Sequence, residues 1–183
     1  MRIIAGEWRR RLLQAPPGDA TRPTADRTRE TLFAMLTSRL GSFDELTVAD
    51  LFAGSGALGL EALSRGAASC LFAELDPAAI RALRANIANL RAQQQCDVRA
   101  ASVMHLGPAK APYDLILLDP PYGSGAGVVA LDRLHRHGWI GGGTWIALET
   151  AHDEKVQAKA LAIESERKVG KAKLTLLRPA DPA

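Results

Sequence analysis

The chain has 183 residues, of which 47% are apolar and 23% are charged, and this length and composition suit one globular domain with a full core. No apolar run is long enough to cross a membrane, and the first residues lack the apolar core of a signal peptide, so we expect a cytoplasmic protein. The two cysteines and four histidines show no metal-ligand spacing, which argues against a disulfide framework and a bound metal.

The formal net charge of +3 is distributed unevenly along the chain. Residues 1–11 carry four arginines and one acid, and residues 167–178 carry five cations and no acid, which leaves −5 for the remainder. A basic head and a basic tail around an acidic body indicate a polyanion held at the margins of the core. Ordinary surface charge that keeps the protein soluble would explain the same pattern.

The first thirteen residues alternate loosely around a turn at Gly6 and predict a small hairpin, which a proline-rich linker over residues 15–19 separates from the rest of the chain. We therefore expect a basic N-terminal hairpin extension over residues 1–20 and one main domain over residues 21–183. An exposed Trp8 and the neighbouring arginines can stack on and pair with RNA, although a tryptophan that covers the edge of the core is an equal alternative. These arginines are Arg9, Arg10 and Arg11.

The sequence is organised around a glycine-rich turn that comes after the apolar run at residues 46–49. The turn leads from a buried strand into a helical pattern, and its glycines let a ligand approach the backbone at the helix N-terminus. The spacing Gly54-x-Gly56-x-x-Gly59 is also that of a dinucleotide site. However, Asp50 beside the turn would repel a pyrophosphate but suits a cation, and S-adenosylmethionine carries both an ammonium and a sulfonium group. We therefore expect a cationic nucleoside as the ligand.

Residues 69–73 form an unbroken apolar run, which is typical of a parallel strand that is buried on both faces, and Glu74 stands at its carboxyl end. A helical pattern runs from Asp76-Pro77 to Leu90. Two strand–helix units in succession predict a doubly wound sheet, in which ligands bind beyond the carboxyl ends of the strands. Glu74 is therefore placed to accept hydrogen bonds from both hydroxyls of a ribose.

The next two predicted strands each end at candidate site residues. The strand near residues 97–101 ends at Ser102 and Val103, which we expect at the edge of the adenine ring. The strand over residues 113–118 is apolar and ends at the box Asp119-Pro120-Pro121-Tyr122. The two prolines fix a rigid turn with free carbonyls beside a carboxylate and an aromatic ring. We expect this box to be the chemical centre, since all of these groups meet at the cofactor edge of the sheet.

The last part of the chain completes the sheet. A fifth strand is predicted over residues 144–148, and residues 160–164 and 173–177 around Gly170 predict an antiparallel hairpin. The predicted fold class is therefore α/β, with a Rossmann-like, doubly wound, mostly parallel seven-stranded sheet that ends in an antiparallel C-terminal hairpin.

These motifs resemble those of the class I S-adenosylmethionine-dependent methyltransferases and, within them, the bacterial 16S ribosomal RNA (guanine-N2)-methyltransferases. The likeness covers nearly the whole chain and includes RIIAGxWR near the N-terminus, RPTxDRxRETLF from Arg22, the glycine turn, the DPPY box and KxG from Lys168. Two positions depart from the pattern. Ser102 stands where many methyltransferases have an acid, and Arg10 stands where this family usually has glycine.

The resemblance implies a monomeric enzyme of the class I methyltransferase fold, with S-adenosylmethionine as its cofactor and 16S rRNA or the assembling small ribosomal subunit as its partner. It assigns cofactor binding to Asp50, Phe52, Ala53, Gly54, Ser55, Gly56, Glu74, Leu75, Ser102 and Val103. It assigns catalysis to Asp119, Pro120, Pro121 and Tyr122. It places RNA contacts at Trp8, Arg9, Arg10, Arg11, Lys168 and Lys171.

The implied reaction is in-line transfer of a methyl group to an exocyclic amine, with Asp119 and the Pro120 carbonyl accepting its N–H bonds while Tyr122 stacks on the base. A carboxylate only accepts hydrogen bonds, and guanine offers adjacent donors at N1 and N2, so Asp119 favours guanine over the N6 amine of adenine. Two other classes stay open. One is an NAD-dependent oxidoreductase, which leaves the proline box unexplained, and the other is a non-catalytic RNA-binding module.

Overall fold

The computed structural model describes residues 1–18 and 23–180, with Pro23 and Thr24 as backbone alone. The helices in chain order are α1 (Pro23–Leu40), α2 (Ala57–Ser64), α3 (Pro77–Asn89) and α4 (Ala126–Arg136). The strands are β1 (Thr47–Leu51), β2 (Ser69–Glu74), β3 (Cys96–Ala100), β4 (Leu115–Leu118), β5 (Trp145–Ala151), β6 (Leu161–Val169) and β7 (Ala172–Pro179). Two short 3-10 helices cover Gln93–Gln95 and Val103–His105.

The strands form one seven-stranded sheet in the order β3-β2-β1-β4-β5-β7-β6. The first five strands of this order pair in parallel, whereas β7 is antiparallel to both of its neighbours. This arrangement confirms the predicted α/β fold with an antiparallel C-terminal hairpin. Because β1, β2, β4 and β5 run in parallel, their carboxyl ends meet at one edge of the sheet.

Apolar side chains on the two faces of the sheet form two core clusters. One cluster joins α1, α2 and α3 to the sheet and includes Phe33, Leu60 and Phe72. The other joins α4 to the opposite face and includes Ile116 and Leu131. All four residues of β4 are buried, as expected for a central strand covered by helices on both faces.

Strand β4 is shorter than the sequence predicts. It begins at Leu115, whereas the apolar run suggested a start at Tyr113. Just before this start, Asp114 Oδ2 accepts hydrogen bonds from the Thr47 N–H at 2.9 Å and the Thr47 hydroxyl at 3.1 Å. A side-chain contact therefore ties this end of β4 to β1.

The N-terminal hairpin, which the sequence suggested as an extension over residues 1–20, packs against the core of the main domain. Ile3 and Leu13 are buried in the same apolar cluster as α1. The fully buried Glu61 of α2 accepts hydrogen bonds from the N–H groups of Ile4 at 2.8 Å and Ala5 at 3.1 Å. Removing one partner of such a buried charged group costs about 3–5 kcal/mol, so the segment is firmly held. The predicted boundary itself lies outside the described residues.

Trp8 lies inside this hairpin rather than on the surface. It is 7% exposed, and its backbone N–H donates to the Ser64 hydroxyl at 2.9 Å. This position favours the alternative in which Trp8 covers the edge of the core, because the side chain is not exposed for stacking on RNA. Arg10 has a φ of +72°, a backbone conformation that glycine adopts more readily.

Within the described ranges, no helix has the length and apolar character that crossing a membrane requires.

Candidate active site

A cleft of about 1070 Å³ opens at the carboxyl edge of the sheet. The glycine turn between β1 and α2 forms its floor, and the proline box at residues 119–122 forms one wall. Residues 15–17 of the N-terminal segment and residues 169–172 at the tip of the C-terminal hairpin also line it. Parts of the N-terminal and C-terminal segments therefore border the cleft that the central strands create.

The glycine turn has the backbone conformation that its sequence predicts. Gly54 has a φ of +57°, and a Cβ added to it would meet nothing within 4 Å, so the backbone here is open to a ligand. Gly56 has a φ of +85°, and its Cβ would lie 2.3 Å from Leu83 Cδ1 of α3. The first glycine thus allows access, and the second allows α2 and α3 to pack closely. Phe52 also has a positive φ of 60°.

Glu74 is held rigidly at the end of β2. The Gly54 N–H donates to its Oε1 at 2.7 Å, and the N–H groups of Leu75 and Asp76 donate to its Oε2 at 2.8 Å and 2.9 Å. Both lone pairs of Oε2 are thus occupied, whereas Oε1 can accept one further hydrogen bond. Glu74 is therefore oriented by the backbone and still able to accept from a hydroxyl at Oε1.

Asp50 lies beneath the glycine turn and does not line the cleft. It is 1% exposed, the Gly59 N–H donates to its Oδ2 at 2.9 Å, and its Oδ1 has no hydrogen-bond partner within the described ranges. Burial raises the pKa of Asp50 to about 8, the Gly59 hydrogen bond opposes this shift, and the nearby charge of Glu74 adds to it. A cation bound above the turn would favour the ionised form of Asp50.

The proline box presents its polar groups in the way its sequence suggests. Asp119 is open to the cleft on one side. The Pro121 carbonyl accepts a hydrogen bond from the Ser124 hydroxyl at 2.6 Å, whereas the Pro120 carbonyl has no partner in the part of the chain that the structure describes. Tyr122 is 48% exposed, and its hydroxyl donates to Glu149 Oε2 at 2.7 Å.

Carboxylates dominate the cleft and the strand ends beneath it: Asp50, Glu74, Asp76, Asp119 and Glu149. Such a group repels a pyrophosphate and attracts a positively charged ligand. Among the described residues, no cluster of histidine, cysteine or acidic side chains is arranged to hold a metal ion. The residues present therefore fit S-adenosylmethionine, because its ammonium and sulfonium groups offset the negative charge.

The predicted site residues divide into those that line the cleft and those that do not. The cleft is lined by Phe52, Ala53, Gly54, Ser55, Glu74, Asp119, Pro120, Pro121, Tyr122 and Lys171. The residues outside its lining are Asp50, Gly56, Leu75, Ser102, Val103, Trp8, Arg9, Arg10, Arg11 and Lys168.

Three of the residues outside the cleft lining differ in what they can offer to a ligand. Leu75 is 65% exposed beside Glu74, so it offers an apolar surface. The Ser102 hydroxyl accepts a hydrogen bond from the Met104 N–H at 3.2 Å and caps a short 3-10 helix. The Val103 side chain is buried in the core, so only its backbone is available to a ligand.

Two cleft residues, Arg29 and Glu149, were not predicted from the sequence. Arg29 is 5% exposed on α1, donates to the Arg2 carbonyl and lies 3.9 Å from Glu61, and its Nε has no hydrogen-bond partner within the described ranges. The position of Arg29 in the RPTxDRxRE motif is the sequence signal that could have identified it as a cleft residue. Glu149 lies near the carboxyl end of β5, which pairs in parallel with β4. Ligands bind beyond the carboxyl ends of parallel strands, and this rule, which located Glu74 and Asp119, also applies to Glu149.

Comparison with known proteins places the chain among methyltransferases. The family model described as conserved hypothetical protein 95 matches residues 1–178. Ribosomal RNA small subunit methyltransferase D of Escherichia coli K12 is 39% identical over 150 residues, which are 82% of this chain and 74% of that protein. The solved structure of yhhF from Escherichia coli has a TM-score of 0.86 and 34% identity, and the match covers 100% of this chain and 99% of that one.

A more distant solved structure shows the same fold with its cofactor. Magnesium protoporphyrin IX methyltransferase from Synechocystis, solved with bound S-adenosylmethionine, has a TM-score of 0.66 and 12% identity, and the match covers 89% of this chain and 87% of that one. At this identity the likeness concerns the fold.

Asp50→Asn tests whether the buried carboxylate responds to a bound cation. The pKa of Asp50 is about 8, so the free protein holds this carboxyl mostly protonated, and binding a cation should release that proton. The affinity of the native protein for S-adenosylmethionine should therefore rise almost tenfold per pH unit between about pH 6 and about pH 7.5, below the titration of the ligand's own amine. In titration calorimetry, Asp50→Asn should bind S-adenosylmethionine more weakly than the native protein does. Its affinity should not change with pH over this range. An unchanged pH dependence in this variant would contradict the role of Asp50.

Proposed function

The chain belongs to the family described as conserved hypothetical protein 95, and from this premise we propose that it transfers a methyl group from S-adenosylmethionine to the exocyclic N2 amine of a guanine in 16S rRNA. The 39% identity to ribosomal RNA small subunit methyltransferase D supports an rRNA substrate. We place the reaction in the cytoplasm, on naked 16S rRNA or on the assembling small subunit, and we propose a monomer as the active form.

The observation that carries the proposal is the joint placement of Glu74, the glycine turn and the proline box around one cleft. S-adenosylmethionine supplies a methyl group on a positively charged sulfur. Glu74, fixed by three backbone N–H groups, would accept from a ribose hydroxyl at Oε1. Leu75 offers an apolar surface to the adenine, and the positive charge of Arg29, which lines the cleft, suits the carboxylate of the methionine end.

Asp119 and the Pro120 carbonyl would activate the target amine, which is the difficult part of the proposed reaction. An aryl amine is a poor nucleophile because its lone pair is delocalised into the ring. Two acceptors on its N–H bonds favour a tetrahedral nitrogen and stabilise the positive charge that develops there. The unpaired Pro120 carbonyl and the Asp119 carboxylate at the cleft are such a pair. Interactions of this kind are worth about 3–4 kcal/mol each in the transition state.

Tyr122 provides a platform for the base. Its ring is half exposed at the cleft, and its hydroxyl is tethered to Glu149, which limits rotation of the side chain. An aromatic ring fixed in this way can stack on a nucleotide that has been swung out of its helix or loop. Guanine suits this position better than adenine, because the acceptor-only carboxylate of Asp119 matches the adjacent N1–H and N2–H donors.

The basic ends of the chain supply the proposed RNA path. Lys171 lines the cleft at the tip of the C-terminal hairpin, and Lys168 is exposed on β6 nearby in sequence. On the N-terminal hairpin the side chains of Arg9, Arg10 and Arg11 are exposed. Since Trp8 is buried, we assign the hairpin's contribution to these arginines and to phosphate contacts rather than to base stacking.

Mapping of the methylated nucleoside tests the proposed function. The protein is incubated with naked 16S rRNA or with small ribosomal subunits and methyl-labelled S-adenosylmethionine, and the RNA is digested to nucleosides for mass analysis. The expected product is N2-methylguanosine. Asp119→Ala should slow single-turnover transfer by about 100-fold to 1000-fold with little change in cofactor affinity. The exposed, distant Asp97→Ala is the matched control. Label on adenine N6, or full activity in Asp119→Ala, would contradict the proposal.

Replacing Arg9, Arg10 and Arg11 together by glutamine tests the RNA path. Without these phosphate contacts, fewer counterions are released when RNA binds, so RNA affinity should fall. The slope of the logarithm of affinity against the logarithm of salt concentration should become shallower by about 2. Filter binding over a series of salt concentrations measures both quantities. The matched control replaces Lys110, Arg136 and Lys159, three exposed cations outside the cleft lining. An equal loss of RNA affinity in the two triple variants would mean that the hairpin arginines act only through the net charge of the protein.

A further inference from the structure

Asn86 is a buried polar residue on the core-facing side of α3. It is 1% exposed, and its neighbours on this side, Leu83 and Ile87, belong to the apolar core cluster. A buried amide costs stability unless its polar atoms are hydrogen-bonded, and asparagine is a weaker helix former than leucine. Neither the helix nor the core therefore accounts for an amide at this position.

The amide of Asn86 is hydrogen-bonded to two separate segments that border the cleft. Its Oδ1 accepts from the Gln14 N–H at 2.7 Å, and its Nδ2 donates to the Gln14 carbonyl at 3.0 Å. The same Nδ2 donates its other hydrogen to the Ser55 carbonyl at 3.0 Å. Both N–H bonds and the oxygen of the amide are thus used. One side chain joins the N-terminal segment to the glycine turn.

The contact with Gln14 sets the position of the cleft wall at residues 15–17, which line the cleft directly after it. Pro16 and Pro17 have no N–H group, so they cannot hold their own position by donating hydrogen bonds. Gln14, in contrast, is held at both its N–H and its carbonyl by Asn86. The placement of this wall therefore depends on the Asn86 amide.

The contact with Ser55 fixes one peptide of the glycine turn. The Ser55 carbonyl accepts the hydrogen bond from Asn86. The N–H of the next residue, Gly56, donates to the Ala53 carbonyl at 2.9 Å. The peptide plane between Ser55 and Gly56 is thus held at both of its polar atoms. About one turn earlier on α3, Leu83 occupies the space that a Gly56 Cβ would need, so α3 positions the turn by an apolar and a polar contact.

We propose that Asn86 is a positioning residue that couples the N-terminal segment to the glycine turn, so that both form one preformed site for S-adenosylmethionine. This inference goes beyond the proposed RNA reaction and rests only on its cofactor. Because Gln14 follows directly on the hairpin that carries the arginines at residues 9–11, the link also runs from the proposed RNA path to the cofactor turn. Neither the sequence motifs nor the family resemblance pointed to Asn86.

Asn86→Leu tests the effect on cofactor binding. It removes all three hydrogen bonds and keeps a side chain of similar size and branching between apolar neighbours. The affinity for S-adenosylmethionine, measured by titration calorimetry, should fall about tenfold because the turn and the wall are no longer fixed. The matched control is Asn89→Leu, the same replacement at an exposed position of α3, which should leave the affinity unchanged. Native affinity in a folded Asn86→Leu protein would overturn the inference.

Amide hydrogen exchange in the native protein tests the link itself and needs no variant that could fail to fold. The Gln14 N–H reports the contact with Asn86, whereas the Ala5 N–H, which donates to Glu61, reports the docking of the hairpin on α2. Saturating S-adenosylmethionine should slow exchange of the Gln14 N–H at least about tenfold more than that of the Ala5 N–H. An equal effect of the cofactor on the two amides would overturn the inference.

Asn86→Asp separates the link from a simple loss of stability. The carboxylate still accepts from the Gln14 N–H, but it cannot donate to the Ser55 carbonyl. Bound S-adenosylmethionine should therefore no longer slow exchange at Gln14 beyond its effect at Ala5. A purely structural role of Asn86 would leave this difference undiminished, and that result would contradict the proposed coupling. None of these measurements needs RNA, so they are independent of which base the enzyme methylates.

Discussion

The common carboxyl edge of four parallel strands is the constraint on which the site depends. Parallel pairing brings the ends of β1, β2, β4 and β5 together, and each strand delivers an acid at or near that end. Backbone N–H groups then fix Asp50 and Glu74, so the two carboxyl groups stay close to each other. Burial and the charge of Glu74 oppose ionisation of Asp50, and a cationic ligand favours it. The proposed cofactor site depends on this arrangement.

The same edge explains which features could be predicted from sequence. Unbroken apolar runs identified the buried parallel strands, and the residue after each run identified Glu74 and the proline box at Asp119. Glu149 was missed because the predicted fifth strand stopped at Leu148, whereas β5 continues to Ala151 by pairing with β7. The role of Glu149 depends on a contact with Tyr122 across 27 residues of sequence, and no local pattern records such a contact.

The N-terminal segment shows the opposite case, in which local composition suggested the wrong environment. Four arginines and a proline-rich linker suggested an exposed extension. The hairpin is held instead by long-range contacts to α2, where Glu61 and Ser64 accept hydrogen bonds from its backbone and Trp8 fills the core. Its arginines at residues 9–11 are exposed at the surface, where a polyanion can reach them. The expected family and α/β fold are both confirmed.

A crystal structure of the protein with S-adenosylmethionine bound would test the central claim most directly. The account predicts that a ribose hydroxyl lies within hydrogen-bond distance of Glu74, that the methionine end crosses the glycine turn above Asp50, and that the methyl group faces Asp119 and the Pro120 carbonyl. A ligand bound outside this cleft, or bound within it without contact to Glu74, would contradict the claim that the acidic carboxyl edge forms the cofactor site.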